Sequence, residues 1–278
     1  MATRSPLFCD TALARRIERA ETRLIADTSR ATQARTGVEG FLIPLAGGLA
    51  SFAEPDSPFN KVVGLGFDGV PSAGELDVVE KAFADRGAPT QVELAHLAES
   101  AIGELLSDRG YRLESFENVL GLALDGDQEP ITPPGIEVRH STADELDAWV
   151  AVVADASTHP DTQGLPWHDE FPRDALENAE RDFAAAGGTR YAAFRDGVLA
   201  GGADFRITDG IAQLAGAATA PAHRRHGVQS ALVAARPARR RAGCDVAVIV
   251  TQPGSTSQQN AQRRGFDLLY TRATLVKH

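Results

Sequence analysis

The chain has 278 residues, 43% of them hydrophobic and 24% charged, with a formal net charge of -10. That balance supports one large or two ordinary packed domains and excludes global disorder. No apolar run reaches the ~18 residues of a membrane span, and the acidity argues against a general nucleic-acid binder.

Cys9 and Cys244 are far apart and lack metal-ligand spacing. They read as free thiols in a reducing compartment, so no metal site and a cytoplasmic location are expected. The first residues show no apolar signal core ahead of a charged helix.

Residues 11–34 read as an amphipathic helix, with Leu13, Ile17, Ala20, Leu24 and Ala31 along one stripe. Strands are predicted at 40–44, 48–52 and 61–67, the last ending in the turn pair Asp68-Gly69. A helix over 72–86 starts at Ser72, with Glu75 three residues on, and stops at Gly87. A strand at 90–97, a helix at 100–109 ended by Gly110, and a long strand at 111–124 with a bend at Gly121 complete this half.

Residues 125–135 (DGDQEPITPPG) are polar and carry three prolines, which predicts a linker between two domains. The charge balance changes there too. Residues 1–134 hold 12 basic and 21 acidic residues, whereas residues 135–278 hold 16 and 17. The domains expected are therefore 1–125, a linker at 126–134, and 135–278.

The second half begins with a strand at 136–140 and a helix at 144–156 capped by Ser141 or Thr142, with Leu146, Trp149, Val150 and Val153 at helical spacing. A loop rich in Pro, Gly and aromatics follows at 158–172, then a helix at 172–186. Strands at 189–195 and 198–207 are joined by Asp196-Gly197, and a third strand covers 211–219. A helix from Val228, a buried-type strand at 245–251, a short helix at 255–264 and a strand at 266–277 close the chain. Pro237, inside the first of these helices, removes a helix hydrogen bond.

Between the strand at 211–219 and the helix lies a basic turn, His223-Arg224-Arg225-His226-Gly227. A helix N-terminus leaves N–H groups without intrahelical partners, and its dipole favours an anion. Glycine lets backbone approach a pyrophosphate, and arginine adds charge-assisted hydrogen bonds. From Thr219 to Arg264 the chain holds eight arginines and one acid, Asp245, a local reversal suited to a polyanion. Arg239, Arg240 and Arg241 read instead as a solvated helix face.

Arg224-Arg225-His226-Gly227-Val228-Gln229 resembles the Arg/Gln-x-x-Gly-x-Gly/Ala signature of the GNAT acetyltransferase superfamily, departing at Gln229. The element order over 135–278 is that of the same family. The piece LLSDRGYRLESFENVLGLAL resembles the last helix and strand of a GNAT unit, which implies a degenerate second unit at 1–125 that cannot hold the cofactor; an unrelated α/β extension is the alternative. The fold class expected is thus α/β (α+β), a mixed, mostly antiparallel sheet flanked by helices, with two such units in tandem.

The resemblance implies an acetyl-CoA-dependent N-acetyltransferase acting on a primary amine of a small molecule or peptide. The alternative is a non-catalytic acyl-CoA-binding module. A homodimer is compatible with either. By position, main-chain groups of Ala217, Ala218 and Thr219 would hold the pantetheine arm, with Arg224 among the cofactor-binding residues. The amides of Arg225, His226, Gly227, Val228, Gln229 and Ser230 would face the pyrophosphate. The small side chains of 215–218 suit either a close ligand or a tightly packed sheet face. The tyrosine that the family often uses as acid maps to Ala261. Ser257 and Asn260 on the same short helix are left as thiol or cofactor contacts. Base candidates are Asp204 on the strand before, and His159, Asp161 and His168 in the 158–172 loop, where Trp167 and Phe171 would wall an acceptor pocket.

Overall fold

The computed structural model describes residues 5–124, 133–159, 171–235 and 243–278. The chain falls into two compact units. The N-terminal unit comprises Cys9–Asn118, Trp167–Asp182 and Tyr270–His278, and the C-terminal unit comprises Met1–Phe8, Val119–Pro166 and Phe183–Leu269. Divisions fall inside the strands of residues 112–123 and 267–277 and inside the helix of residues 173–185, whereas composition places one at the proline-rich stretch, of which residues 125–132 lie outside the described residues.

In the N-terminal unit, α1 (Thr11–Thr36) starts where the Asp10 carboxylate accepts the Leu13 N–H and ends at Gly37, in the left-handed region at φ 68°. It runs two residues past the predicted end. Strands β1 (Phe41–Leu45), β2 (Gly48–Phe52) and β3 (Lys61–Val63) pair antiparallel in sequence. β3 stops well short of residue 67 because Gly64 and Gly66 take positive φ. Helix α2 (Ala73–Ala84) carries the predicted capping box. Ser72 accepts from the Glu75 N–H, and the Glu75 carboxylate accepts from the Ser72 N–H. β4 (Thr90–Ala95) runs parallel to β3, α3 (Ala101–Asp108) follows, and β5 (Arg112–Ala123) comes next. The core gathers Leu45, Phe52, Leu76, Phe83, Ile102 and Leu106. Under α1, Glu18 binds both Tyr270 and Arg272 in a buried polar centre.

The C-terminal unit opens with β6 (Ile136–His140), then α4 (Leu146–Ser157) entered through a single 3-10 turn that Thr142 and Glu145 cap. Helix α5 (Arg173–Ala185), whose residues up to Asp182 belong to the N-terminal unit, precedes the antiparallel strands β7 (Thr189–Arg195), β8 (Val198–Thr208) and β9 (Ile211–Thr219). Then come α6 (Val228–Ala235), β10 (Val246–Thr251), α7 (Thr256–Arg263) and β11 (Asp267–Lys277), whose residues from Tyr270 on belong to the N-terminal unit and pair antiparallel with β4. Strand order in the unit is β5-β10-β9-β8-β7-β6. Helices cover both faces, because alternate strand residues point to opposite sides. Trp149, Val150 and Val153 of α4 pack with Ala192 and Ala218. Val228, Ala231 and Leu232 of α6 pack with Tyr191, Ala203 and Phe205.

The same succession occurs twice: β1-β2-β3-α2-β4-α3-β5 and β7-β8-β9-α6-β10-α7-β11. In each, antiparallel strands lead into one parallel pair joined by a helix. Each also ends its last helix alike. Tyr111 N–H bonds to Leu106 C=O after Gly110, and Phe266 N–H to Ala261 C=O after Gly265. The expected class, a mixed and mostly antiparallel sheet flanked by helices and built from tandem units, is what the structure has.

Candidate functional site

The centre of the C-terminal unit is the place where β9 leaves β10. The parallel ladder pairs Ile211 with Val246 and ends at Leu214 with Ile249. Beyond that pair β9 continues five residues, to Thr219, and β10 two, to Thr251. The two strands thus enclose an opening that is shut at Leu214 and open toward the basic turn.

On its other side β9 is bulged. Gly202 pairs with Ala218 and Asp204 with Ala215, so Ala203 alone faces both Gly216 and Ala217. Gly216 supplies the left-handed residue, at φ 55°. The extra residue changes which side chains face which helix. Ala212 and Leu214 pack on the α6–α7 side with Val233 and Ala261. Past the bulge it is Ala217 that joins α6, while Ala218 lies against α4. A bulge also bends a strand, which suits a place where main chain must turn toward a ligand.

At the open end, residues 220–227 make a tight turn. The His223 N–H bonds to Ala220 C=O, Arg225 and Gly227 take φ of 63° and 85°, and the first α6 bond runs from Ala231 N–H to Gly227 C=O. The N–H groups of Val228, Gln229 and Ser230 precede that bond, so they have no intrahelical acceptor. Arg225 and His226 are exposed beside them. An anion placed there would meet several N–H donors and the positive end of the helix.

The predicted cofactor residues fall into distinct roles. Ala217, Ala218 and Thr219 are half-buried along the opening, and the Thr219 hydroxyl is buried with no hydrogen-bond partner. Arg224 uses its guanidinium inside the fold: Nε donates to Thr219 C=O, and Nη2 to the carbonyls of Ala156 (3.1 Å) and His159. It therefore ties the C-terminus of α4 to the turn. Gln229 and Asn260 bind each other at 2.7 Å, joining α6 to α7.

The candidates for acid and base are not brought together. Asp204 is buried and lies across from Arg190 and Ala215 in the sheet. Its neighbours Ala203 and Phe205 face α6, so Asp204 points to the opposite side. Ser257 is on α7, which packs on the α6 side through Ala261. Ala261, where the family's tyrosine would stand, is completely buried with Leu214, Val233 and Phe266. His159 bonds to the Asp155 carbonyl at the end of α4. Asp161, Trp167, His168, Pro237 and Arg239–Arg241 lie outside the described residues, and Phe171 is half-buried.

Two features of the site escape the sequence reading. One is the bulge, whose signal is a glycine within an otherwise regular strand, Gly216. The other is Thr251, buried at the end of β10 with its hydroxyl unpartnered. Its signal is a lone polar residue closing the apolar run of residues 246–250. Among the described residues no group of His, Cys, Asp and Glu could hold a metal ion. No described helix is long and apolar enough to cross a membrane.

Comparison with known proteins bears on the same region. The profile of the acetyltransferase (GNAT) family matches residues 153–266. No curated protein sequence matches the chain significantly. Among solved structures, a GCN5-related N-acetyltransferase from Kribbella flavida is similar at 20% identity and TM-score 0.64, over 92% of this chain and 95% of its own. Another from Sphaerobacter thermophilus is similar at 15% identity and TM-score 0.56, over 93% and 91%. A tandem GNAT protein from the clavulanic acid biosynthesis pathway is similar at 14% identity and TM-score 0.59, over 93% and 95%. At such identities these structures speak to the fold, and both units are included in the match. The chain therefore has the tandem GNAT fold, and the GNAT acetyltransferase family model matches it over residues 153–266.

Proposed function

We propose that this protein is an acetyl-CoA-dependent N-acetyltransferase that transfers an acetyl group directly to a primary amine of a small molecule or peptide. The observation that carries the reading is the opening between β9 and β10, which is shut at Leu214–Ile249 and leads to the turn at the start of α6. The cosubstrate fits this frame. The amides of residues 225–230 would hold the pyrophosphate, and the β9 main chain from 216 to 219 would hold the pantetheine arm as an added strand. The buried, unpartnered Thr219 hydroxyl suits a polar arm beside it. Arg224 acts by positioning the turn, since its Nε and Nη2 donors are used within the chain.

When bound, acetyl-CoA supplies the activated acetyl group. Main-chain N–H groups near the bulge would stabilise the oxyanion that forms as the amine attacks. Asp204, on the sheet face away from α6, is the candidate to take the proton from the ammonium.

In this reading the chain has one cosubstrate site. The equivalent turn of the N-terminal unit leads into α2, where the Glu75 carboxylate already stands as an anion, accepting from the N-cap Ser72 N–H, and the Ser72 hydroxyl accepts from the Glu75 N–H. Burying a second anion there would oppose like charge.

Ala261 in the core favours a second reading, a module that binds acyl-CoA without turnover. Release of free thiol from acetyl-CoA, followed across a panel of amines, separates the two. Amine-dependent release supports the enzyme; tight CoA binding with no release from any amine overturns it in favour of the module.

A further inference from the structure

We infer that Thr251 contacts the sulfur of the cosubstrate and donates a hydrogen bond to the leaving thiolate. The inference rests on the acetyl-CoA site proposed above and goes beyond it, in a chain where the family's tyrosine position is filled by a buried alanine. The argument runs from the shape of the opening. An arm that enters from the turn, with its phosphates at residues 225–230, travels along β9 toward Leu214. The ladder pair Leu214–Ile249 stops it. Five residues of strand at about 3.3 Å each give the arm about 17 Å of depth. The reactive end of the ligand therefore comes to rest at the closed end, level with the bulge at Gly216 and Ala217.

Two buried hydroxyls without hydrogen-bond partners flank the opening. Thr219 stands at the phosphate end of β9. Thr251 is two residues beyond Ile249 on β10, at the closed end. Strand alternation places Thr251 on the same face as Ala247 and Ile249, which pack on the α6–α7 side. It is 4% exposed. Burying a hydroxyl without a partner is costly, and such a group in a folded protein asks for an explanation. A ligand sulfur at the closed end provides one.

The step balances without a proton from threonine. The amine nitrogen forms the C–N bond, the C–S bond breaks, and its electron pair passes to sulfur. The ammonium proton leaves through the base or water. The Thr251 O–H donates to the resulting thiolate and keeps its own proton. A hydrogen bond to the charged form lowers a pKa, so the thiol of bound CoA should titrate below the ordinary value of about 8.5.

The test uses the full chain with coenzyme A itself, in wild type, Thr251→Val and Thr251→Ser. Calorimetry first establishes binding. The thiolate ultraviolet absorbance of each complex is then followed against pH, with the complex of desulfo-CoA as blank. The inference expects the bound thiol shifted down by roughly one pH unit or more in wild type and Thr251→Ser, with the shift gone in Thr251→Val. Val fills the same volume, so CoA affinity should stay within a few-fold. A bound thiol that titrates like free CoA in wild type, or alike in wild type and Thr251→Val, overturns the role of Thr251 and leaves the site standing. Absence of CoA binding by wild type overturns both.

Discussion

Asn260 on α7 donates its side-chain N–H to the side-chain oxygen of Gln229 on α6, at 2.7 Å. This accounts for a glutamine where the family pattern has Gly or Ala: the side chain serves as a brace between two helices, and the main-chain N–H remains available to a ligand. Replacing either partner with alanine should cost about 0.5–1.5 kcal/mol. In a double-mutant cycle by urea unfolding, Gln229→Ala and Asn260→Ala should couple by a similar amount. Independent effects would show that the bond is not formed in solution.

Gly227 is constrained twice. Its φ is 85°, and a Cβ there would lie 2.9 Å from Pro133 Cγ. Gly227→Ala should therefore destabilise the protein by about 1–3 kcal/mol before any ligand is considered. Adding Pro133→Ala should return part of that loss, because it removes the steric half and leaves the backbone half. Equal stability of Gly227→Ala with and without Pro133→Ala would assign the whole cost to the backbone.

The N-terminal unit holds a pH-sensitive centre. Arg272 is buried among Glu18, Glu93 and Glu117, and Lys61 binds Glu93 at 2.5 Å. Burial, then the nearby Glu93, pushes the Glu117 carboxyl up to about 7, against the pull of Lys61 and Arg272. Burial raises Glu21 in the same direction. The sign follows from proton binding. Between about pH 4.5 and pH 7 the folded protein holds a proton at Glu117 that the unfolded chain has lost, so stability falls as pH rises through that window. Glu117→Gln keeps the neutral form at every pH. It should raise the melting temperature at pH 8, where its gain is on the order of a few kcal/mol at most, and flatten the profile between pH 5 and 7. A variant less stable than wild type at pH 8 would contradict this.

Ala261 cannot simply be returned to tyrosine. It is fully enclosed by Leu214, Val233 and Phe266. Ala261→Tyr should overpack that core and cost about 1–3 kcal/mol, seen as a lower urea midpoint, without raising turnover. A stable variant with faster thiol release would show that the side chain reaches the opening.

Much of the fold was legible because its signals are local. Ser72 with Glu75, the apolar stripe from Leu13 to Ala31, and Asp196-Gly197 between alternating strands each set an element boundary within one or two residues. The basic turn was legible because arginine and glycine stand together between strand and helix. What was not legible depends on partners far apart in the chain. Arg224 reads as a phosphate ligand until the carbonyls of Ala156 and His159 take its donors. Asp204 and Ser257 read as separate candidates, for base and for thiol contact, and only alternation and helix packing show that they lie on opposite faces. Thr251 reads as the end of a strand, and only the early end of the β9–β10 ladder makes its hydroxyl conspicuous.

The central claim is that CoA phosphates are held by amides at the start of α6. Ser230→Pro tests it most directly. Residue 230 lies in the first helical turn, ahead of the Ala231–Gly227 bond, so proline there loses no intrahelical hydrogen bond and its cost is limited to strain at the helical Gln229 before it. The substitution removes one proposed phosphate donor. Calorimetric titration of CoA into wild type and Ser230→Pro should show binding by wild type and an affinity at least about tenfold weaker in the variant, since a hydrogen bond to a charged group contributes about 1.5–3 kcal/mol. The melting temperatures without ligand should match within a few degrees. Equal CoA affinity in the two proteins, or no binding by wild type, would contradict the account.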